Sequence, residues 1–211
     1  MLLARSLSAV ARARARLGSA TPPRETLIAR HVAGRSFVDV GCMWTIHGAL
    51  CFAAEDAGAA SVTGVDVMAP TERFEAELRR RDSKVRFLQG DIHDPATVAA
   101  IGRHDVVWCS GVLYHAPHPL LTLERLRDLT AQTLLLATET VPETPGRRGT
   151  CVIAPGREEH PNAEPPAGPG AGYGPWYWGI SPSALRSMLT LSGFTVVEEH
   201  RTPFHVTVVA R

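Results

Sequence analysis

Short apolar runs recur along the chain, each closed by a glycine or an acid and followed by an amphipathic or Ala/Leu-rich stretch. Residues 37–40 read as a strand buried on both faces, and residues 47–56 as the helix that follows it. The same rhythm predicts a second strand over Ser61–Asp66, a charged helix over Glu72–Arg81 and a third strand over 85–89. A short helix over 96–101, a fourth strand over 105–109, an amphipathic helix over 120–129 and a fifth strand over 133–137 continue it. Strands alternating with helices specify an α/β fold, a doubly wound and mostly parallel sheet with right-handed crossovers. The rhythm stops at Val141. Residues 142–175 are rich in Pro and Gly, and an insertion of that length serves as a lid or a binding loop. A helix over 183–191, a strand over 195–199 and a last strand over 206–210 close the chain, the two strands joined through the turn Arg201-Thr202-Pro203.

Ahead of this core, residues 1–18 carry four arginines among Ala and Leu and no acid, a pattern shared with transit peptides. The spacing of Leu3, Leu7, Val10 and Leu17 favours a packed helix instead, followed by a break at Pro22-Pro23 and a short helix over 25–32. The expected organisation is one domain over 1–211, with an N-terminal helical segment (1–35) and a lid (141–180).

Between the first strand and its helix lies Asp39-Val40-Gly41-Cys42-Met43-Trp44-Thr45-Ile46-His47-Gly48. A strand, a glycine turn and a helix place free backbone N–H groups at a crevice beyond the carboxyl end of a parallel sheet, where small polar cofactors bind. The acid two residues before Gly41 suits a cationic ligand better than a pyrophosphate. Asp39-Val40-Gly41-Cys42 resembles the first motif of the class I S-adenosylmethionine (SAM) methyltransferases. That resemblance covers about residues 36–211 and implies a seven-stranded Rossmann-like sheet ending in a hairpin, with SAM as cofactor. Glycines usual in the family are replaced by Met43 and Thr45, so the loop must be shaped differently, with Gly48 permitting close helix packing.

The resemblance assigns further residues. Asp66, 27 positions after Asp39, would accept hydrogen bonds from ribose hydroxyls. Asp91 would face the adenine amino group, with Ile92 packed on the ring. Gly41 and Ser110 complete the cofactor set. The segment Gly111-Val112-Leu113-Tyr114-His115 followed by Pro117, together with Glu139-Thr140 and Pro145-Gly146, resembles the subgroup that includes the tRNA wobble-uridine carboxymethyltransferases; small-molecule O-methyltransferases are similar too. Ala116-Pro117 stand where that subgroup commonly has arginines, which favours ordinary SAM over a carboxylated form.

Composition narrows the partners. Forty-five per cent apolar and 20% charged residues are ordinary globular values, and a net charge of +1 argues against nucleic acid as the main partner. Lys84 is the only lysine, a trait of bacterial GC-rich coding. Four cysteines without metal-type spacing fit free thiols in a reducing cytoplasm, and no apolar stretch suits a membrane span. The expected partner is a small-molecule acceptor, with a homodimer as the assembly allowed for.

Methyl transfer from a sulfonium is an in-line displacement, so the protein chiefly aligns donor and acceptor. A hydroxyl acceptor benefits from a general base. His115 is the first candidate, His118 the second, and Glu139 could serve as base or orient one; each could equally be a structural polar residue. Tyr114, Trp176 and Tyr177 are the candidate acceptor contacts. His115, His118, Glu139, Glu143, Glu158, Glu159 and His160 could converge on Mg2+, but no fixed ligand spacing is visible and no metal ligand is assigned. The expected activity is methyl transfer to an oxygen of a saccharide or secondary metabolite. The alternatives are tRNA modification and a non-catalytic SAM-binding protein.

Overall fold

The structure, a computed structural model, describes residues 21–153 and 178–211. In chain order the elements are α1 (Arg24–Val32), β1 (Ser36–Val40), α2 (Ala49–Asp56), β2 (Ser61–Asp66), α3 (Glu72–Arg81) and β3 (Arg86–Gln89). They continue with α4 (Pro95–Ile101), β4 (His104–Ser110), a 3-10 turn (Leu113–His115), α5 (Pro119–Leu129) and β5 (Thr130–Glu139). After β6 (Cys151–Ile153) come β7 (Trp178–Ile180), α6 (Pro182–Leu191), β8 (Val196–Thr202) and β9 (His205–Ala210).

Seven strands form one sheet in the order β3-β2-β1-β4-β5-β9-β8. The first five are parallel, and β9 enters antiparallel beside β5 with β8 at its outer edge. This is the expected α/β sheet with a closing hairpin. Alternation along each central strand feeds two cores. Val38, Val40, Val107, Cys109, Leu134, Leu136 and Val208 face α5 and α6, with Leu123, Leu126, Leu185 and Leu189. Phe37, Val106, Trp108, Leu135 and Val209 face α1, α2 and α3, with Leu27, Ile28, Leu50, Phe52 and Phe74. Because the sheet is covered on both sides, its central strands read as continuous apolar runs.

Several boundaries differ from expectation. The first crevice helix starts at Ala49, not at residue 47, because His47 (φ 49°) and Gly48 (φ 74°) take left-handed backbone conformations that a helix cannot absorb. β5 begins at Thr130, directly after α5, since its polar first residues still pair with β4 through His104 and Thr130. The final hairpin turns at Pro203 and Phe204, so Arg201 and Thr202 belong to β8. The antiparallel pair β6–β7 was not anticipated. The expected helix within 1–18 and most of the expected lid lie outside the described residues. Among the described residues no helix is long and apolar enough to cross a membrane.

Gly48 fixes how closely α2 and α3 approach. A Cβ there would sit 2.3 Å from Phe74 Cδ2, inside the ring contact between Phe52 and Phe74. Gly48→Ala therefore meets both a steric and a conformational penalty, and is expected to destabilise the fold by about 2–3 kcal/mol. Thermal or urea unfolding measures this; an unchanged midpoint would show that the contact does not hold α2 in place.

Candidate active site

The turn leaving β1 is built by ties to β2. Gly41 N and Cys42 N both donate to Val65 O, at 2.8 and 3.3 Å. Gly41 is required by contact: a Cβ there would lie 2.4 Å from Val112 Cγ2, in the segment leaving β4. Met43 is fully buried, and its N–H donates to Asp66 Oδ2 at 2.7 Å. Thr45, where a glycine was expected from the family pattern, takes φ 57° despite its β-branch. The far end of the loop returns through His47 N to Met43 O (3.1 Å) and Gly48 N to Cys42 O (2.7 Å).

Asp66 stands at the end of β2, as expected, but its carboxylate is already engaged. Oδ2 accepts Met43 N–H and Oδ1 accepts Met68 N–H at 2.9 Å, with the Val67 and Trp44 amides close by. Burial raises its pKa, and those amides oppose the rise. Before it meets any ligand, Asp66 joins the loops after β1 and β2.

Asp39 lies wholly inside the protein, between Gly64 of β2 and Trp108 of β4 in register. In this conformation Asp39 has no exposed surface. Its nearest polar partner is the Cys51 thiol, 3.7 Å from Oδ2, and Oδ1 has no hydrogen-bond partner. Gly64 makes the room, since a Cβ there would lie 2.9 Å from Cys42 Sγ and 3.1 Å from Cys51 Sγ. Burial pushes the Asp39 carboxyl up to about 7; the Asp66 charge adds to this, while the Cys51 bond and the Arg24 charge oppose it.

Beyond β3, Asp91 Oδ1 accepts His93 N–H at 2.8 Å, and Ile92 is buried in the core that faces α5. His93, not anticipated, places Nε2 2.8 Å from Thr122 Oγ1 of α5. Burial lowers its pKa.

On the other side, the chain leaving β4 forms the 3-10 turn that carries Tyr114 and His115, whose rings lie 4.2 Å apart. Ser110 is buried with its Oγ accepting Trp108 Nε1–H at 3.0 Å, so its hydroxyl is shared with the core. Burial pushes the Tyr114 phenol up to about 12, with the charge of Glu139 adding to the shift and that of Arg24 opposing it. Glu139 ends β5 opposite His205 of β9. Burial lowers the His205 pKa; Arg24 reinforces the shift and Glu139 opposes it. Tyr114, His115 and Glu139 thus gather at the tips of β4 and β5, joined by Arg24 and His205. His118 precedes α5, with its ring 6.1 Å from that of His93.

Glu143 is taken up in capping α6, accepting Ser183 N–H and Oγ–H at 2.7 Å each. Trp178, the described end of the aromatic run, donates Nε1–H to Ala116 O at 2.9 Å, next to His115. Trp176, Tyr177, Glu158, Glu159 and His160 lie outside the described residues. Among the described residues no group of three or more His, Cys, Asp or Glu could hold a metal ion. Arg24, His93 and His205 escaped the sequence reading because each reaches the site from a separate element, and no local spacing marks them.

Residues 38–133 match a protein-family model described as a methyltransferase domain. Comparison with curated proteins returned no match. Among solved structures, the chain resembles the N-terminal domain of EvdMO1 with S-adenosylhomocysteine (SAH) bound, at TM-score 0.66 and 21% identity, over 92% of this chain and 82% of that one. The same EvdMO1 domain has also been solved in the presence of SAH and D-fucose. A SAM-dependent methyltransferase from Mesorhizobium loti matches at TM-score 0.64 and 18% identity, over 92% and 98% of the two chains. The 1,6-didemethyltoxoflavin-N1-methyltransferase of Burkholderia thailandensis matches at TM-score 0.65 and 18% identity, over 100% and 86%. Residues 38–133 thus match a methyltransferase domain by sequence, and the sheet as a whole has the fold of the solved SAM-dependent methyltransferases.

Proposed function

We propose that the protein uses SAM to methylate an oxygen of a small polar acceptor, a saccharide or secondary-metabolite hydroxyl. The observation that carries the choice of oxygen is the grouping of His115, Tyr114 and Glu139 at the tips of β4 and β5, beside the crevice above β1 and β2. A hydroxyl hardly ionises at neutral pH, so a base at that place is useful. The crevice suits a cationic nucleoside: Asp39 has an unpartnered oxygen, Asp66 lies nearby, and no cation forms an ion pair with either among the described residues. Residues 43–47, Asp66 and Asp91 would hold the cofactor. SAM supplies an electrophilic methyl group on a positive sulfur.

The chain's own residues do the rest. His115 takes the acceptor's hydroxyl proton, and Glu139 orients the acceptor or the base. Asp39 favours the charged donor through its field and needs no contact with it. The β6–β7 pair joins the two ends of residues 154–177 beside Ala116, which supports reading 141–180 as a lid over the acceptor. The fold neighbours include an enzyme named for methylating a nitrogen, so the oxygen preference rests on the base cluster alone. The likeness of Gly111–His115 to the tRNA-modifying subgroup keeps RNA as a second reading, which the near-neutral charge opposes.

Two measurements test this. With labelled SAM and a panel of monosaccharides and phenolic metabolites, His115→Ala should lower kcat by about 10²–10⁴-fold while the Kd for SAH stays unchanged. Full turnover in that variant removes His115 as the base, and methylation confined to tRNA selects the second reading. The pH dependence of binding follows from Asp39. Its pKa is raised to about 7, so its charge is lost as the pH falls through neutrality. Affinity for SAM should drop up to about tenfold from pH 8 to pH 6, and less for SAH, which lacks the sulfonium charge. Asp39→Asn should flatten the difference, and identical pH curves for SAM and SAH in the wild type would refute the electrostatic role.

A further inference from the structure

The loop above β1 is held in an unfavourable backbone conformation by a side chain outside the family motif. Thr45 and His47 are non-glycine residues with φ of 57° and 49°, a region that His, Asn and Asp enter more readily than other L-residues and a β-branched residue such as Thr45 seldom enters. One end of the loop is tied by Met43 N–H to Asp66. At the other end His47 Nδ1 lies 3.1 Å from Thr71 Oγ1. Thr71 is the N-cap of α3, and its Oγ1 already accepts Phe74 N–H at 3.2 Å. The hydroxyl keeps its proton and a second lone pair, so it can bond His47 Nδ1 in either tautomer of the ring. Between the two ties, Trp44 and Thr45 form the exposed apex of the loop.

We propose that His47 is a positioning residue for the nucleoside cofactor: its bond to Thr71 clamps residues 43–47 onto the start of α3 and fixes the left-handed loop where Asp66 anchors it. The side chain does here what small residues do where the backbone itself can relax into such a turn. The loop's amides are largely spent on internal bonds, Met43 N–H on Asp66, Ile46 N–H on Trp44 O and His47 N–H on Met43 O, so a loop fixed at both ends offers the ligand a preset surface without an ordering cost at binding. The inference rests on the SAM-binding reading above and adds to it a residue that the motif does not contain.

Calorimetry with SAH on the full-length protein tests it, with melting temperature as a parallel readout. His47→Ala and His47→Gly should each weaken SAH about fivefold, the worth of one lost hydrogen bond. His47→Asn should bind like wild type, because Asn tolerates the left-handed backbone and places a polar atom near the position of Nδ1. Thr71→Val should weaken SAH similarly, Thr71→Ser should not, and His47→Ala with Thr71→Val together should be no worse than either alone. Wild-type binding by His47→Gly would show that only backbone freedom matters and overturns the proposal. A lowered melting temperature with unchanged SAH affinity, or losses that multiply in the double variant, overturns it as well. Wild-type protein that binds neither SAM nor SAH ends the SAM reading, and this inference with it.

Discussion

The carboxylate of Asp66 is the joint on which the crevice depends. It sits at the end of β2, is largely buried, and takes backbone N–H groups from the loops after β1 and β2. A buried carboxylate is costly unless its oxygens are hydrogen-bonded, so Met43 and Met68 are held as firmly as Asp66 itself. The turn after β1 takes its path from that constraint. Once Met43 is pinned, the chain has only residues 44–48 in which to reach α2. Positive φ at Thr45, His47 and Gly48 is how it does so. Phe74 then fills the space that Gly48 leaves open.

Two carboxylates with opposite roles stand side by side in this arrangement. Asp66 is satisfied by amides and shapes the backbone; Asp39 is nearly unsatisfied and shapes the field. The difference follows from position. Asp66 ends its strand, where loop amides are free to turn toward it. Asp39 is in the middle of a ladder whose amides are committed to β2 and β4, which leaves it a single thiol. A sheet interior tolerates such a group only at a cost in stability, and a cationic ligand nearby offsets that cost.

The sheet was largely legible in the sequence. Ser61–Asp66 and Glu72–Arg81 fall where the alternation of apolar runs and charged helical stretches places them. The crevice loop was legible as a place and not as a shape, because its left-handed residues are imposed by Asp66, Thr71 and Phe74, each more than 20 positions away. Three-residue strands such as β6 and β7, far apart in the chain, carry no periodicity to detect. Asp39 was found by its motif, but its burial was not, since that required Gly64 and Trp108 as lateral neighbours. Arg24 and His205 belong to the first described helix and the last strand, and only the folded sheet brings them near Glu139.

The indole of Trp178 gives its N–H to the carbonyl of Ala116, one peptide after His115. The strand that closes the Pro/Gly-rich excursion is therefore mechanically in series with the imidazole. Displacing that strand by even an ångström shifts the imidazole with it, so the insertion and the His115 ring are coupled through that one hydrogen bond. On the proposed reading, a change in that excursion would reset the position of the imidazole as well, unless the indole-to-carbonyl link is kept.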